Sequence, residues 1–139
     1  MAITVAEVMA RYPATVNADA PISEAARQMR ISNVGDVLVV DGDRLSGIVT
    51  DRDIAIRVVA ENGDANTPVR EACSDRDLIT VTPDTKIEQA VELMRTKAIR
   101  RLPVVEGDRP VGVISIGDLA IERDETSALA DISAAEPNH

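Results

Sequence analysis

Gly42-Asp-Arg-Leu-Ser-Gly-Ile-Val-Thr-Asp-Arg-Asp53 is echoed 65 positions later by Gly107-Asp-Arg-Pro-Val-Gly-Val-Ile-Ser-Ile-Gly-Asp118. Each copy runs from a turn through an apolar stretch to a hydroxyl residue, with an aspartate three positions further on. Working outward, residues 15–56 align without a gap to residues 80–121, and 16 of the 42 pairs are identical. Thr15-Val16 falls on Thr80-Val81, and Ile22, Ala25 and Met29 fall on Ile87, Ala90 and Met94. A duplication this regular implies two copies of one small fold, related by a pseudo-twofold axis with a shared groove between them.

Composition narrows what such a pair can do. The 139 residues divide into halves of about 60, each marginal alone because a unit that small buries too little of its surface. The core is aliphatic, since Phe and Trp are absent and Tyr12 is the only aromatic residue. That argues against base stacking on single-stranded nucleic acid. A formal charge of −9 argues against duplex nucleic acid or an anionic membrane surface as the main partner, because a polyanion needs a basic footprint. One cysteine, Cys73, excludes an internal disulfide and points to a reducing compartment. No apolar stretch approaches membrane-spanning length, and Met1-Ala-Ile-Thr-Val-Ala-Glu7 does not read as a secretory leader. The expected setting is the cytoplasm.

Both copies predict the same elements. Thr4 and Glu7 have capping-box spacing for a short first helix, and Thr67-Pro68 is its counterpart, with proline at the first helical position. A brief strand follows at Ala14–Val16 and at Ile79–Val81. Next comes a helix whose apolar residues sit at i, i+3, i+4 and i+7: Ile22, Ala25, Ala26, Met29, then Ile87, Ala90, Val91, Met94. Thr85 and Glu88 give the second copy a capping box. A hairpin comes next, Val37–Val40 turning at Asp41-Gly42 into Leu45–Val49, and Leu102–Val105 turning at Glu106-Gly107 into Val111–Ile114. The consecutive apolar residues of its first strand predict burial on both faces. A last helix covers Asp51–Val59 and starts again near Ile116.

The expected class is therefore α/β (α+β), with two repeats that each carry a small mixed three-stranded sheet and flanking helices. Repeat 1 covers residues 3–60 and repeat 2 residues 68–123. The polar linker is Glu61–Thr67, and the tail, 124–139, has a pattern compatible with one further amphipathic turn or two.

Gly47-Ile-Val-Thr50-Asp-Arg-Asp53 and Gly112-Val-Ile-Ser115-Ile-Gly-Asp118 concentrate the chemistry. A hydroxyl N-cap with an acid in the first turn is ordinary helix chemistry, satisfying free N–H groups and complementing the helix dipole. The same geometry offers a phosphate N–H groups and a hydroxyl, and places a carboxylate where it can accept both hydroxyls of a ribose diol. Both readings stand at this point.

These junctions, with their apolar hairpins and the segment Ile99-Arg-Arg-Leu-Pro-Val-Val105, resemble a tandem pair of CBS domains, a Bateman module, over about residues 3–123. The resemblance implies a regulatory module that binds AMP, ADP, ATP or S-adenosylmethionine in clefts between the repeats, forms a homodimer and reports to a regulated protein partner. It places Asp53 and Asp118 on ribose, and Thr50 and Ser115 at the ribose–phosphate end. Thr15, Val16, Thr80 and Val81, with Val37, Leu38, Leu102 and Pro103, would contact adenine. Arg100 and Arg101 would face phosphates, although Gly35 and Asp36 replace them in repeat 1, where Arg52 is the compensating cation. The two sites are thus expected to differ in affinity.

An enzyme is not expected. The only histidine is His139, so no histidine acid–base pair or metal cluster exists, and nothing is placed to activate Cys73. Magnesium would enter only with the phosphates of a nucleotide. The rival reading is a ligand-independent dimerisation or protein-interaction module, in which Thr50 and Ser115 are caps alone.

Overall fold

The computed structural model describes residues 3–73 and 78–123. The tail from 124 onward, with its expected amphipathic turn, lies outside the described residues. Those described fall into two compact units. One, the first-repeat unit, holds residues 13–73, 78 and 108–110; the other, the second-repeat unit, holds 3–12, 79–107 and 111–123.

In the first-repeat unit, strand β2 (Thr15–Asn17) pairs parallel to β3 (Asp36–Asp41), which pairs antiparallel to β4 (Arg44–Thr50). Helix α1 (Ile22–Ser32) is the parallel crossover and buries Ile22, Ala25 and Met29, as its periodicity predicts. The first four residues of β3 are all buried, so this strand is covered on both faces. Helix α2 begins at Asp51–Asp53 and continues as a π-helical segment, Ile54–Val59, with Ala60 N donating to Ala55 O at 2.9 Å. Four of those six residues are β-branched, which crowds the α-helical backbone.

The second-repeat unit has its own three-stranded sheet in the order β1-β6-β5, from β1 (Ala10–Arg11), β5 (Arg101–Glu106) and β6 (Arg109–Ser115). The expected strand at Ile79–Val81 is reduced to a single parallel bridge, Val81 to Val104. Helix α3 (Ile87–Lys97) buries Ile87, Ala90 and Met94, and α4 (Ile116–Arg123) follows β6 as a regular α-helix. Its capping box is not Thr85–Glu88. Lys86 is the N-cap, its N–H donates to Gln89 Oε1 at 3.1 Å, and Thr85 Oγ1 instead accepts from Thr82 N within the preceding turn. Both hairpins turn at a glycine with positive φ, Gly42 at 67° and Gly107 at 65°.

The leading turn of each repeat packs with the other repeat. Val5–Glu7, a single 3-10 turn with Glu7 accepting from Thr4 N at 2.9 Å, belongs to the second-repeat unit. There Val5 N donates to Thr85 O at 2.8 Å, Ala6 N to Pro83 O at 2.9 Å, and Ile3 O accepts from Ile87 N at 3.1 Å. The matching turn, Val69–Glu71, has Pro68 as its N-cap and serves the first-repeat unit. Val69 N donates to Ala20 O and Arg70 N to Ala18 O, both at 2.9 Å, and Thr67 O accepts from Ile22 N at 2.7 Å. Asp19 takes an ion pair from Arg70 at 2.7 Å, and that hydrogen bond raises the Arg70 pKa above its ordinary value. Val69 and Ala72 thereby complete the core of Val16, Ile22, Ala25, Met29, Val37, Val39, Val49 and Val58, with Cys73 packed half-buried against it. Val5 completes the core of Val81, Ile87, Ala90, Met94, Leu102, Val104, Ile114 and Leu119.

Candidate functional site: two strand-to-helix junctions

Strand β4 ends at Thr50 in extended backbone and the chain turns directly into α2. Thr50 Oγ1 accepts from Asp53 N at 3.0 Å, and Asp53 Oδ2 accepts from Thr50 N at 3.0 Å. The next amide, Asp51 N, donates to Gly35 O at 3.0 Å. Strand β6 ends the same way. Ser115 Oγ accepts from Asp118 N at 3.2 Å, Asp118 Oδ2 accepts from Ser115 N at 2.9 Å, and Ile116 N donates to Arg100 O at 2.9 Å.

The cap reading is therefore realised at both junctions, and it defines what remains for a ligand. Three of the four leading N–H groups of each helix are satisfied internally. The fourth, on Arg52 or Gly117, has no partner among the described residues. Each hydroxyl oxygen is used as an acceptor, which leaves its O–H able to donate. Each carboxylate is oriented by its bond to the cap amide and keeps further lone pairs. Asp53 Oδ1 also lies 3.6 Å from Arg57 Nε. One free amide, one hydroxyl donor and one fixed carboxylate suit a sugar diol or a phosphate oxygen; they do not form a nucleophile–base pair.

The remaining candidates divide by burial. Thr15 and Thr80 are exposed, whereas Val16, Val37, Val81 and Leu102 belong to the two cores. Leu38 is 2% exposed and Pro103 is also buried, so what these six offer is main chain and shape. Thr15 pairs with Leu38 across the parallel ladder, and Val81 N donates to Pro103 O at 3.1 Å. Arg100, immediately before β5, is exposed, and Arg101, its first residue, is half-buried; the Arg100 carbonyl meets the second junction at Ile116 N.

Two further acids stand at the first junction: Asp36, noted in the sequence only as the counterpart of Arg101, and Asp51, which the sequence reading gave no site role. Asp36 is directly opposite Thr50 in the β3–β4 ladder and is 9% exposed. The Asp51 carboxylate lies over Gly35, where a Cβ would stand 3.3 Å from its Oδ2. Among the described residues no group of three or more His, Cys, Asp and Glu side chains is arranged to hold a metal ion. No helix among them is long and apolar enough to cross a membrane.

Comparison with known proteins gives the same repeat. The CBS domain family model matches residues 5–60 and again 69–125. The CBS domain-containing protein YhcV of Bacillus subtilis is 40% identical over 134 residues, 94% of this chain and 95% of the relative. Among solved structures, the CBS-domain containing protein ATU1752 from Agrobacterium tumefaciens is 31% identical with a TM-score of 0.73, covering 86% of this chain and 92% of that one. The CBS domain pair of protein MJ0100, solved in complex with 5'-methylthioadenosine and S-adenosyl-L-methionine, is 26% identical with a TM-score of 0.80, covering 91% of this chain and all of that one.

Proposed function

The chain belongs to the CBS-domain family as a tandem pair, and from that premise we propose a cytoplasmic, homodimeric regulatory protein whose junctions bind an adenosine-containing ligand. The ligand class is AMP, ADP, ATP or S-adenosylmethionine. One observation carries the reading: both junctions keep the hydroxyl, the free amide and the fixed carboxylate in the same arrangement, through a repeat in which only 16 of 42 positions are identical. Asp53 and Asp118 accept the ribose hydroxyls, while Thr50 and Ser115 donate to the ribose–phosphate end. Arg100, Arg101 and Arg52 supply positive charge for phosphates, and magnesium accompanies a nucleotide only through those phosphates. The structure solved for MJ0100 supports the adenosine class, because its ligands share the adenosine moiety. The protein acts by binding, and its occupancy is passed to a partner protein.

Titration calorimetry with adenosine, AMP, ADP, ATP and S-adenosylmethionine tests this. At least one compound should bind, and at a hundredfold excess over its Kd it should stabilise the fold by about 2.7 kcal/mol. Asp118→Asn keeps an acceptor for the cap amide but removes the charge, so it should weaken binding at its junction with a smaller effect on stability. The rival reading, a ligand-independent interaction module, is favoured by the completeness of both caps and by the exposure of Ile56, Val59 and Ile116. Under that reading Thr50→Ala and Ser115→Ala each cost about 1 kcal/mol of stability, and no adenosine compound binds.

A further inference from the structure

Val91, Met94 and Arg95 of α3 and Ile116, Leu119 and Ala120 of α4 line a groove of about 370 Å³. All six belong to the second-repeat unit, and Ile116 is 53% exposed. A volume of this size would admit a small molecule, but such pockets fix their ligands with several converging polar groups. Arg95 is the one polar side chain among the six, so the groove suits aliphatic side chains accompanied by an acid.

We propose that the occupant is this chain's own segment 128–135, folded back along α4 with Leu129 and Ile132 seated in the groove. The inference stands apart from the adenosine reading. At helical spacing Leu129 and Ile132 share one side with Ala128 and Ala135. Ser127, a favoured N-cap residue, precedes them, and Pro137 follows. The four residues 124–127 lie within the usual length of about 2–8 for a connection between adjacent helices. Helix α4 has eight residues, Ile116–Arg123, and eight residues returning at the same rise reach back to Ile116. Charge agrees as well. Residues 124–139 include Asp124, Glu125, Asp131 and Glu136 but no lysine or arginine, against the exposed Arg95.

The first repeat shows both halves of the match changing together. At the 65-residue offset Ile116 corresponds to Asp51 and Val91 to Ala26, while Leu129 corresponds to Asp64 and Ile132 to Thr67. Where the groove position is acidic, the segment after the last helix is polar, and where it is apolar, that segment is apolar. The polar segment takes a different course, with Thr67 O accepting from Ile22 N at 2.7 Å and Ala65 O from Ser23 N at 3.1 Å at the start of α1. At the start of α3 the equivalent amide, Ile87 N, already donates to Ile3 O at 3.1 Å. That mooring is taken, and the groove is open to the tail.

Nuclear Overhauser contacts between methyl groups of the full chain, labelled at Ile, Leu, Val and Met, test the seating. Leu129 and Ile132 should each show contacts to Ile116, Leu119 or Met94. Leu129→Asp should abolish the contacts of Ile132, and Ile132→Asp those of Leu129, with Ile116 becoming more accessible to a soluble gadolinium chelate. Neither position is among the core residues of either unit, so both variants should keep their fold. Ala130→Asp, which helical spacing puts on the opposite side of the segment, should leave the contacts in place. Absence of the contacts in the unaltered chain overturns the proposal, as does their loss in Ala130→Asp or their survival in both of the other variants. A sample mixing labelled and unlabelled chains identifies the source. Contacts within one chain support the proposal, whereas contacts only between chains, from the tail or the groove of a second copy, overturn it.

Discussion

A side chain at Gly112 would have no room. A Cβ there would stand 2.6 Å from Met9 Sδ and 2.9 Å from the Ala10 carbonyl oxygen, and the second of these is backbone that cannot swing aside. The contact exists because β1 lies directly along β6, with Arg11 opposite Gly112. Gly112→Ala should therefore lower stability in urea by about 1–3 kcal/mol, the usual cost of overpacking a fitted site. Gly117 is the control. Its Cβ would meet only Ser115 Oγ, at 3.7 Å, so Gly117→Ala should raise stability by about 0.4–1 kcal/mol by restricting the unfolded chain. Equal effects from the two alanines would mean that β1 does not press on Gly112. At this scale the sequence was informative where the chemistry is local. The hydroxyl and aspartate of each cap are three residues apart, so their spacing alone announces them. The cross-strand partner of Asp36 was hidden for a definite reason: counted back from the turn at Gly42-Asp43, Asp36 falls opposite Val49. A register shift between Val39 and Val40 moves it to Thr50.

Helices and hairpins were legible from periodicity, because burial imposes a repeat of 3.6 or 2 on any element with one face in a core. The exchange of leading turns was not. Ala10–Arg11 is a two-residue strand with both residues exposed, and a single 3-10 turn carries no apolar period. The π-helical register of Ile54–Val59 was equally silent, since apolar spacing does not distinguish it from the α-helix expected there. The exchange has a direct consequence for local stability. Val5 and Val69 are both fully buried, each in the core built mainly from the other repeat. Truncating either to alanine should cost about 2 kcal/mol, from lost transfer energy and the cavity left behind. Val5→Ala should reduce amide hydrogen-exchange protection chiefly in α3, and Val69→Ala chiefly in α1. The opposite assignment would place each turn with the repeat it precedes.

For the whole molecule, net charge and ion pairing pull stability in opposite directions, and salt separates them. The chain carries 24 acidic against 15 basic residues, a formal charge of −9, so its compact state is under self-repulsion. Against this stand the pairs Arg27–Glu24 at 2.6 Å, Arg70–Asp19 at 2.7 Å and Arg95–Glu92 at 3.4 Å, in which each arginine side chain is about half exposed or more. Exposed pairs of this kind contribute about 0–1 kcal/mol each, and salt weakens them. Repulsion summed over nine excess charges acts at longer range, and the screening length falls from about 30 Å at 0.01 M salt to about 8 Å at 0.15 M. Raising sodium chloride over that interval should therefore remove more repulsion than attraction. The melting temperature should rise by several degrees, since about 1 kcal/mol corresponds to roughly 2–8 °C for domains of this size range. Differential scanning calorimetry of the ligand-free protein at the two salt concentrations, repeated with potassium chloride to exclude a specific sodium effect, measures it. A melting temperature that falls with salt would show that the surface pairs outweigh the net charge.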